Sequence, residues 1–368
     1  MKISAPGKLF IAGEWAVLDV GNPGIVAAVN KRVWVEIEEH PRILVSVEDF
    51  GIQEVEGVFD GKNLEWKNAK PEEEDRLIFI KAAIEAALGF LKEWKPFRIR
   101  SWGELSQVEV NGEKKKIGFG SSAASVVATV AGLLALNGWD IQTRETKDII
   151  YKLSAIAHYF AQGKIGSGFD VAASTYGGIF VYRRFDPDWL IEQFDAGKDI
   201  QDIVKSEWPG FEVTPLEIPE GFDLLVGWTG KSASTTILVK QVNEWAKEKP
   251  EEKKRIYKNI ADLVEELIRV WKEQNRERIL ELIRKNEDYL RELGERSGVF
   301  IETPELRKLS DTANSLGGAG KLSGAGGGDC GIAVCFDPEV SEKIKKKWED
   351  EGIWVLDVSL DRDGVKKV

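Results

Sequence analysis

The chain is short of the residues that metal and nucleophile chemistry most often uses. Its 368 residues hold two histidines, two cysteines and one methionine. His40 sits in a His-Pro loop and His158 in a helical stretch, so a Ser-His-Asp triad or a multi-histidine metal centre has little to be built from. Cys330 and Cys335 share the apolar run Cys-Gly-Ile-Ala-Val-Cys. On one strand they stand roughly 16 Å apart, beyond disulfide reach, and two free buried thiols suit a reducing compartment. Long apolar runs are missing too. The longest, Val126 to Leu136, is too short to cross a bilayer, and no signal-type stretch follows Met1; a cytoplasmic protein with no membrane partner is expected. Positive charge is not in surplus. A net charge of −11 argues against a broad nucleic-acid surface but leaves room for a local basic pocket.

What is present describes a folded protein of ordinary type. Hydrophobic residues make up 43% and charged residues 31%, as in soluble globular chains, and the length points to two domains. Thirteen tryptophans include Trp34, Trp94 and Trp271 in apolar patterns, which read as core. Alternation predicts strands over Lys2 to Glu14, Val26 to Glu38, Ile43 to Val47 and Phe97 to Ser101. Helices are expected over Arg76 to Leu91, after Gly120, and over Arg144 to Gln162. Residues 186–222, with Pro187, Pro209, Pro215 and Pro219, read as the connection between domains at 1–185 and 186–368. Beyond it a strand is expected from Phe222 to Gly227, then two long helices at about 250–273 and 276–294. In the first, Ile256, Ile260, Leu263, Leu267 and Trp271 recur at helical spacing.

Three glycine-bearing segments carry the chemistry. The first to stand out is Ile117-Gly118-Phe119-Gly120-Ser121-Ser122-Ala123. Its glycines allow close backbone approach to a ligand, its serines suit a helix N-cap, and the small-residue helix that follows would aim its free N–H groups at an anion. A plain cap fits this segment alone equally well. No Gly-Lys-Ser or Gly-Lys-Thr closes it, so it is not a Walker loop. Near the N-terminus, Pro6-Gly7-Lys8 places a lysine on a strand after a bend, which reads either as a surface lysine or as an anion partner. Near the other end, Ser323-Gly324-Ala325-Gly326-Gly327-Gly328-Asp329 concentrates glycine before a strand, at a cost in chain entropy that a plain turn does not explain. Such a loop can wrap an anion with successive N–H groups. Between these lies Gly166-Ser167-Gly168-Phe169-Asp170. Asp170 is there either a helix N-terminal charge, an acid that orients a nucleophile, or a partner of Lys8.

Taken together, Pro6-Gly7-Lys8 with Gly13-Glu14, then Gly118 to Ala123, then Gly324 to Gly328 resemble, in order and spacing, the three signatures of the GHMP small-molecule kinases. The resemblance implies an α+β fold of two domains, the first like ribosomal protein S5 domain 2 and the second ferredoxin-like, with the active site in the cleft between them. Within the family, residues 323–333, 166–170 and 225–235 are most similar to the branch that acts on 5-phosphomevalonate. That branch turns ATP and 5-phosphomevalonate into ADP and 5-diphosphomevalonate with Mg²⁺. A mevalonate kinase and a non-catalytic metabolite-binding homologue are the alternatives. What the resemblance implies for the site is Lys8 and Asp170 as catalytic residues, with Lys116, Gly118, Phe119, Gly120, Ser121, Ser122 and Ala123 around ATP, and Ser122 toward the metal. Lys8, Ser167, Gly168, Asp170, Lys231, Thr235, Ser323, Gly324, Ala325 and Gly326 would meet the acceptor, and Lys164 is a further candidate.

Overall fold

Alternating apolar residues in the first third of the chain fold into one antiparallel run. The computed structural model describes residues 1–103, 108–110, 113–115, 117–231 and 234–368. β1 (Lys2–Ala12) pairs with the long β2 (Pro23–Glu39), and β3 (Ile43–Val47), β4 (Ile52–Phe59) and β5 (Leu64–Trp66) follow. Helix α1 (Pro71–Leu91) starts earlier than the expected Arg76. Pro71 fits a first turn, Glu72 to Glu74 complement the helix dipole, and the Glu73 carboxylate accepts from the Lys70 N–H at 2.9 Å. β6 (Phe97–Gly103) then lies between β2 and β3, parallel to the latter. A hairpin of β7 (Val108–Val110) and β8 (Glu113–Lys115) leads to α2 (Ser121–Leu136), α3 (Arg144–Ala161) and α4 (Phe169–Tyr176). β9 (Ile179–Arg183) joins β2 from the other side.

Residues 186–222 are not the open connection that their prolines suggest. They form α5 (Pro187–Asp195), α6 (Ile200–Lys205) and β10 (Glu212–Leu216), and β10 pairs with β9 to extend the first sheet. The sheet order is β10-β9-β2-β6-β3-β4-β5, with β1 also on β2. Pro215 lies on this edge strand, where a missing N–H breaks no ladder; a proline-bearing edge reads in sequence as a linker.

The second lobe comprises β11 (Asp223–Trp228), α7 (Thr235–Glu248), α8 (Pro250–Lys272), α9 (Arg276–Ser297), α10 (Pro304–Ser315), β12 (Ala319–Leu322), β13 (Cys330–Cys335), α11 (Pro338–Asp350) and β14 (Trp354–Val355). Its antiparallel sheet runs β12-β13-β11-β14. The chain then returns to the first lobe, where β15 (Lys366–Lys367) pairs with β1 and the buried Arg32 is clasped by Asp361 and the Gly364 carbonyl. The first sheet therefore takes in residues 212–216 and 366–367, and the lobes do not part at 185/186.

One buried apolar cluster runs through both lobes, and α8 contributes the expected Ile256, Ile260, Leu263, Leu267 and Trp271 to it. Alternation along β11 sends Leu224 and Val226 into that cluster and Leu225 into a second one with Leu309 and Trp348. Of the tryptophans expected in the core, Trp271 is fully buried. Trp34 and Trp94 are half-buried, and Trp34 lies beneath the Lys2 ammonium.

Candidate active site

Two bulges interrupt the β1–β2 ladder, one of them between Pro6 and Gly7. Its extra residues, Asn30 and Lys31, lie on β2. Lys8 stays paired with Ala28 and reaches the first glycine loop from the strand, its N–H donating to the Phe119 carbonyl at 2.9 Å and its Nζ to the Gly118 carbonyl at 2.8 Å. Gly120 lies between the two residues expected to be catalytic. A Cβ on it would stand 3.2 Å from Lys8 Cγ and 3.7 Å from Asp170 Cβ. An ion pair between Lys8 and Asp170 is not among those of the described residues. The Asp170 carboxylate instead accepts the Val171 N–H at 3.0 Å and lies 3.9 Å from His158 Nε2.

The first loop ends in a helix N-terminus that no side chain caps. Gly120, at φ 83°, is the N-cap of α2, so Ser121 and Ser122 are helical residues and not the caps their type suggests. Their hydroxyls are left for the cleft, and Ser122 Oγ lies 3.1 Å from His158 Nε2. Gly168, at φ 81°, opens α4 in the same way, and among the described residues α7 also starts without a side-chain cap. Ser121, Ser122, Asp170 and Thr235, from the first turns of these three helices, line a single cleft of about 330 Å³. Open N-termini carry partial positive charge.

From the second lobe come Ser323, Gly324, Ala325, Gly326 and Asp329. Asp329, in the left-handed region at φ 64°, reaches across to accept the Gly118 N–H at 2.9 Å. A Cβ on Gly118 would lie 1.7 Å from its Oδ2, so the glycine makes room for a residue of the other lobe. Burial pushes the Asp329 carboxyl above the usual range, opposed by the Gly118 N–H and the Lys8 ammonium. Asp329 was legible only as a feature of the third segment; nothing local marked it as a wall of the site.

Several expected contacts are placed differently. The Ser323 hydroxyl is buried between the lobes, accepting from the Phe10 N–H at 2.8 Å and donating to the Phe10 carbonyl at 3.1 Å; it is a strut more than a ligand group. Gly168 does not line the cleft, and a Cβ there would meet Tyr182 Oη at 3.1 Å. Lys231 is turned outward to Glu305 at 2.6 Å, and the exposed Lys164 also lies off the cleft wall. Phe119 and Ala123 are buried behind the wall. Lys116 lies outside the described residues, as do Ser232 and Ala233. Ser167, by contrast, lines the cleft with a buried hydroxyl that has no partner among the described residues, and so does the Trp15 indole N–H.

Lys8 is the one basic side chain lining the cleft among the described residues, against the carboxylates of Glu14, Asp170 and Asp329. Glu14 is neutralised by the fully buried Lys321 and accepts from Asn286 at 3.3 Å. The positive charge of the cleft among the described residues is therefore a single ammonium set among backbone N–H groups. That arrangement suits the phosphate groups of a nucleotide and of a second, anionic substrate brought together in one cleft.

The chain belongs to the GHMP kinases. The family's N-terminal domain model matches residues 79–178 and its C-terminal model residues 263–353. Phosphomevalonate kinase of Streptomyces sp. (strain CL190) is 32% identical over 98% of this chain and 97% of its own length. A solved Listeria innocua protein is 33% identical with a TM-score of 0.88, over 100% of this chain and 99% of its own. Streptococcus pneumoniae phosphomevalonate kinase, solved in complex with phosphomevalonate and AMPPNP, is 25% identical with a TM-score of 0.81, over 98% and 99%.

Proposed function

We propose that this kinase transfers the γ-phosphoryl group of ATP to 5-phosphomevalonate, giving ADP and 5-diphosphomevalonate in the mevalonate route to isoprenoids. The observation that carries the reading is the position of Lys8, a lone ammonium beside Gly120 at the open N-terminus of α2 with Asp170 on the far side. A phosphate monoester has its second pKa near ~6, so the attacking oxygen is already ionised at neutral pH. That oxygen forms the new bond to the γ-phosphorus as the bond to the β-phosphate oxygen breaks, and no base has to take a proton. What the site must do is position and neutralise two polyanions.

Lys8 lies between the acceptor phosphate and the γ-phosphoryl group in this reading. Gly118, Gly120, Ser121 and Ser122 take the nucleotide phosphates, while Ser167, Thr235 and the loop at 324–326 take the acceptor. Asp170 steers the acceptor and does not act as a base. A serine hydroxyl at an uncapped helix start suits Mg²⁺, which takes most of its ligands from phosphate and water; the Ser122 hydroxyl, free of capping, is the contact we assign. When bound, Mg²⁺ supplies charge neutralisation on the nucleotide. We place the protein in the cytoplasm: both cysteines are free and buried, with burial pushing the Cys335 thiol up to about 11, and among the described residues no helix is long and apolar enough to cross a membrane.

An assay with ATP and either 5-phosphomevalonate or mevalonate, at equal concentration, tests the assignment. A higher kcat/KM on 5-phosphomevalonate is expected. Equal or faster turnover of mevalonate would make the chain a mevalonate kinase, and turnover of neither would make it a binding homologue.

A further inference from the structure

His158 plays no part in the reading above, yet it touches both walls of the cleft. It is 3% exposed on α3, and its ring stacks on Phe79 of α1 with centroids 5.1 Å apart and an interplanar angle of 27°. Its Nε2 lies 3.1 Å from Ser122 Oγ, in the first turn of α2, and 3.9 Å from Asp170 Oδ2, in the first turn of α4. Four helices thus meet at one imidazole. Nε2 is also the only hydrogen-bond partner of Ser122 Oγ among the described residues.

A serine hydroxyl has one hydrogen and two lone pairs, and it turns freely unless something holds it. An Nε2–H donating to Ser122 would take one lone pair and leave the hydroxyl hydrogen unheld, free to turn toward a cation. In the tautomer with its hydrogen on Nδ1, Nε2 instead accepts the serine hydrogen and leaves both lone pairs free. Stacking on Phe79 fixes the plane of the ring and hence the direction of the pull. We propose that His158 is a positioning residue that accepts the Ser122 hydroxyl hydrogen and so aims the oxygen at the nucleotide-bound Mg²⁺. The inference rests on Ser122 as the metal contact in the proposed function. Outer residues of this kind typically alter metal affinity or activity by ~10–100-fold when lost.

The test compares wild type with His158→Phe, which keeps the stacking ring but has no acceptor, and His158→Gln, whose amide oxygen reaches a similar point. Dissociation constants for AMPPNP are measured with and without Mg²⁺, alongside the Mg²⁺ concentration that half-saturates kcat. His158→Phe should weaken Mg²⁺-dependent AMPPNP binding by ~10-fold and lower kcat. Its metal-free AMPPNP affinity and its KM for the acceptor should stay within about two-fold. His158→Gln should recover most of the loss, and Ser122→Ala should reproduce it with no further change on adding His158→Phe. Equal damage from Phe and Gln, or an unchanged metal requirement, would overturn the proposal. Should His158→Phe fail to fold, His158→Leu and His158→Gln decide: a metal loss in Leu that Gln largely recovers supports the proposal, and equal damage in both, or none in either, sinks it. AMPPNP binding needs no acceptor, so a failure to phosphorylate 5-phosphomevalonate would sink the proposed function without touching this result.

Discussion

The two glycine-rich loops of the cleft have similar composition and different physics. In the first, the glycines serve the protein's own side chains. Gly118 leaves room for Asp329 of the other lobe, and Gly120 adopts φ 83° with Lys8 packed against it. In the loop before β13, Gly326 is needed because a Cβ would strike the Ile301 carbonyl at 2.1 Å, and Gly327 donates to that same carbonyl at 2.6 Å. Gly324 differs from Gly326: among the described residues nothing lies within 4 Å of a built Cβ, although its φ is 96°. Glycine enrichment thus marks close backbone approach, but most of the approaching groups belong to the chain itself.

The largest expected effect tests the charge that the first loop holds. Lys8→Ala removes the ammonium bonded to the Gly118 carbonyl and should lower kcat by about 10²–10⁴-fold, ~3–5 kcal/mol of transition-state stabilisation. Asp170→Asn should cost far less and leave the acid limb of the kcat–pH profile in place. An acid limb that vanishes in Asp170→Asn, with activity falling to background, would make Asp170 a base and the acceptor an alcohol.

Next in size is the contact between the loops. Gly118→Ala should destabilise the protein by about 2–3 kcal/mol in denaturant unfolding, because the Asp329 carboxylate has to move. Asp329 stands at φ 64°, so Asp329→Gly is tolerated by the backbone, and the double variant should regain much of the loss. Strict additivity would show that Gly118 does not serve Asp329.

A smaller, pH-dependent effect belongs to the stem of the second loop. Glu287 accepts the Leu322 N–H at 3.1 Å, and burial holds its carboxyl well above the usual glutamate range despite the opposing Lys321. A carboxyl raised in the folded state binds its proton more tightly there. The associated stability is present below the unfolded pKa of about 4.3 and is lost as pH rises through the folded value. Glu287→Gln keeps a neutral side chain, so thermal unfolding from about pH 5 upward should show a flatter decline than wild type. Parallel curves would mean that Glu287 is ionised in the fold.

Smallest of all, Gly324→Ala should cost about 1 kcal/mol of stability from its positive φ while raising the KM for the acceptor more than that for ATP. An unchanged acceptor KM would place the open side of this loop away from the acceptor.

Local signals sufficed for much of this molecule. The apolar repeat at Ile256, Ile260, Leu263, Leu267 and Trp271 specifies the buried face of α8, because the helix period is a property of neighbouring residues; β1 was legible as a strand, but it is buried on both faces where alternation implied one. The order and spacing of the three glycine segments were enough for the family, and they brought Lys8, Ser122, Asp170 and Gly324 to one cleft. Composition could not separate Ser323, spent on the Phe10 backbone, from Ser167, whose hydroxyl has no partner among the described residues. Neither could it turn Lys231 outward, assign Gly118 to Asp329, hold residues 212–216 in the first sheet or set His158 against Ser122. Each of these depends on contacts between segments far apart in the chain, and only the packing of the two lobes decides which distant groups meet.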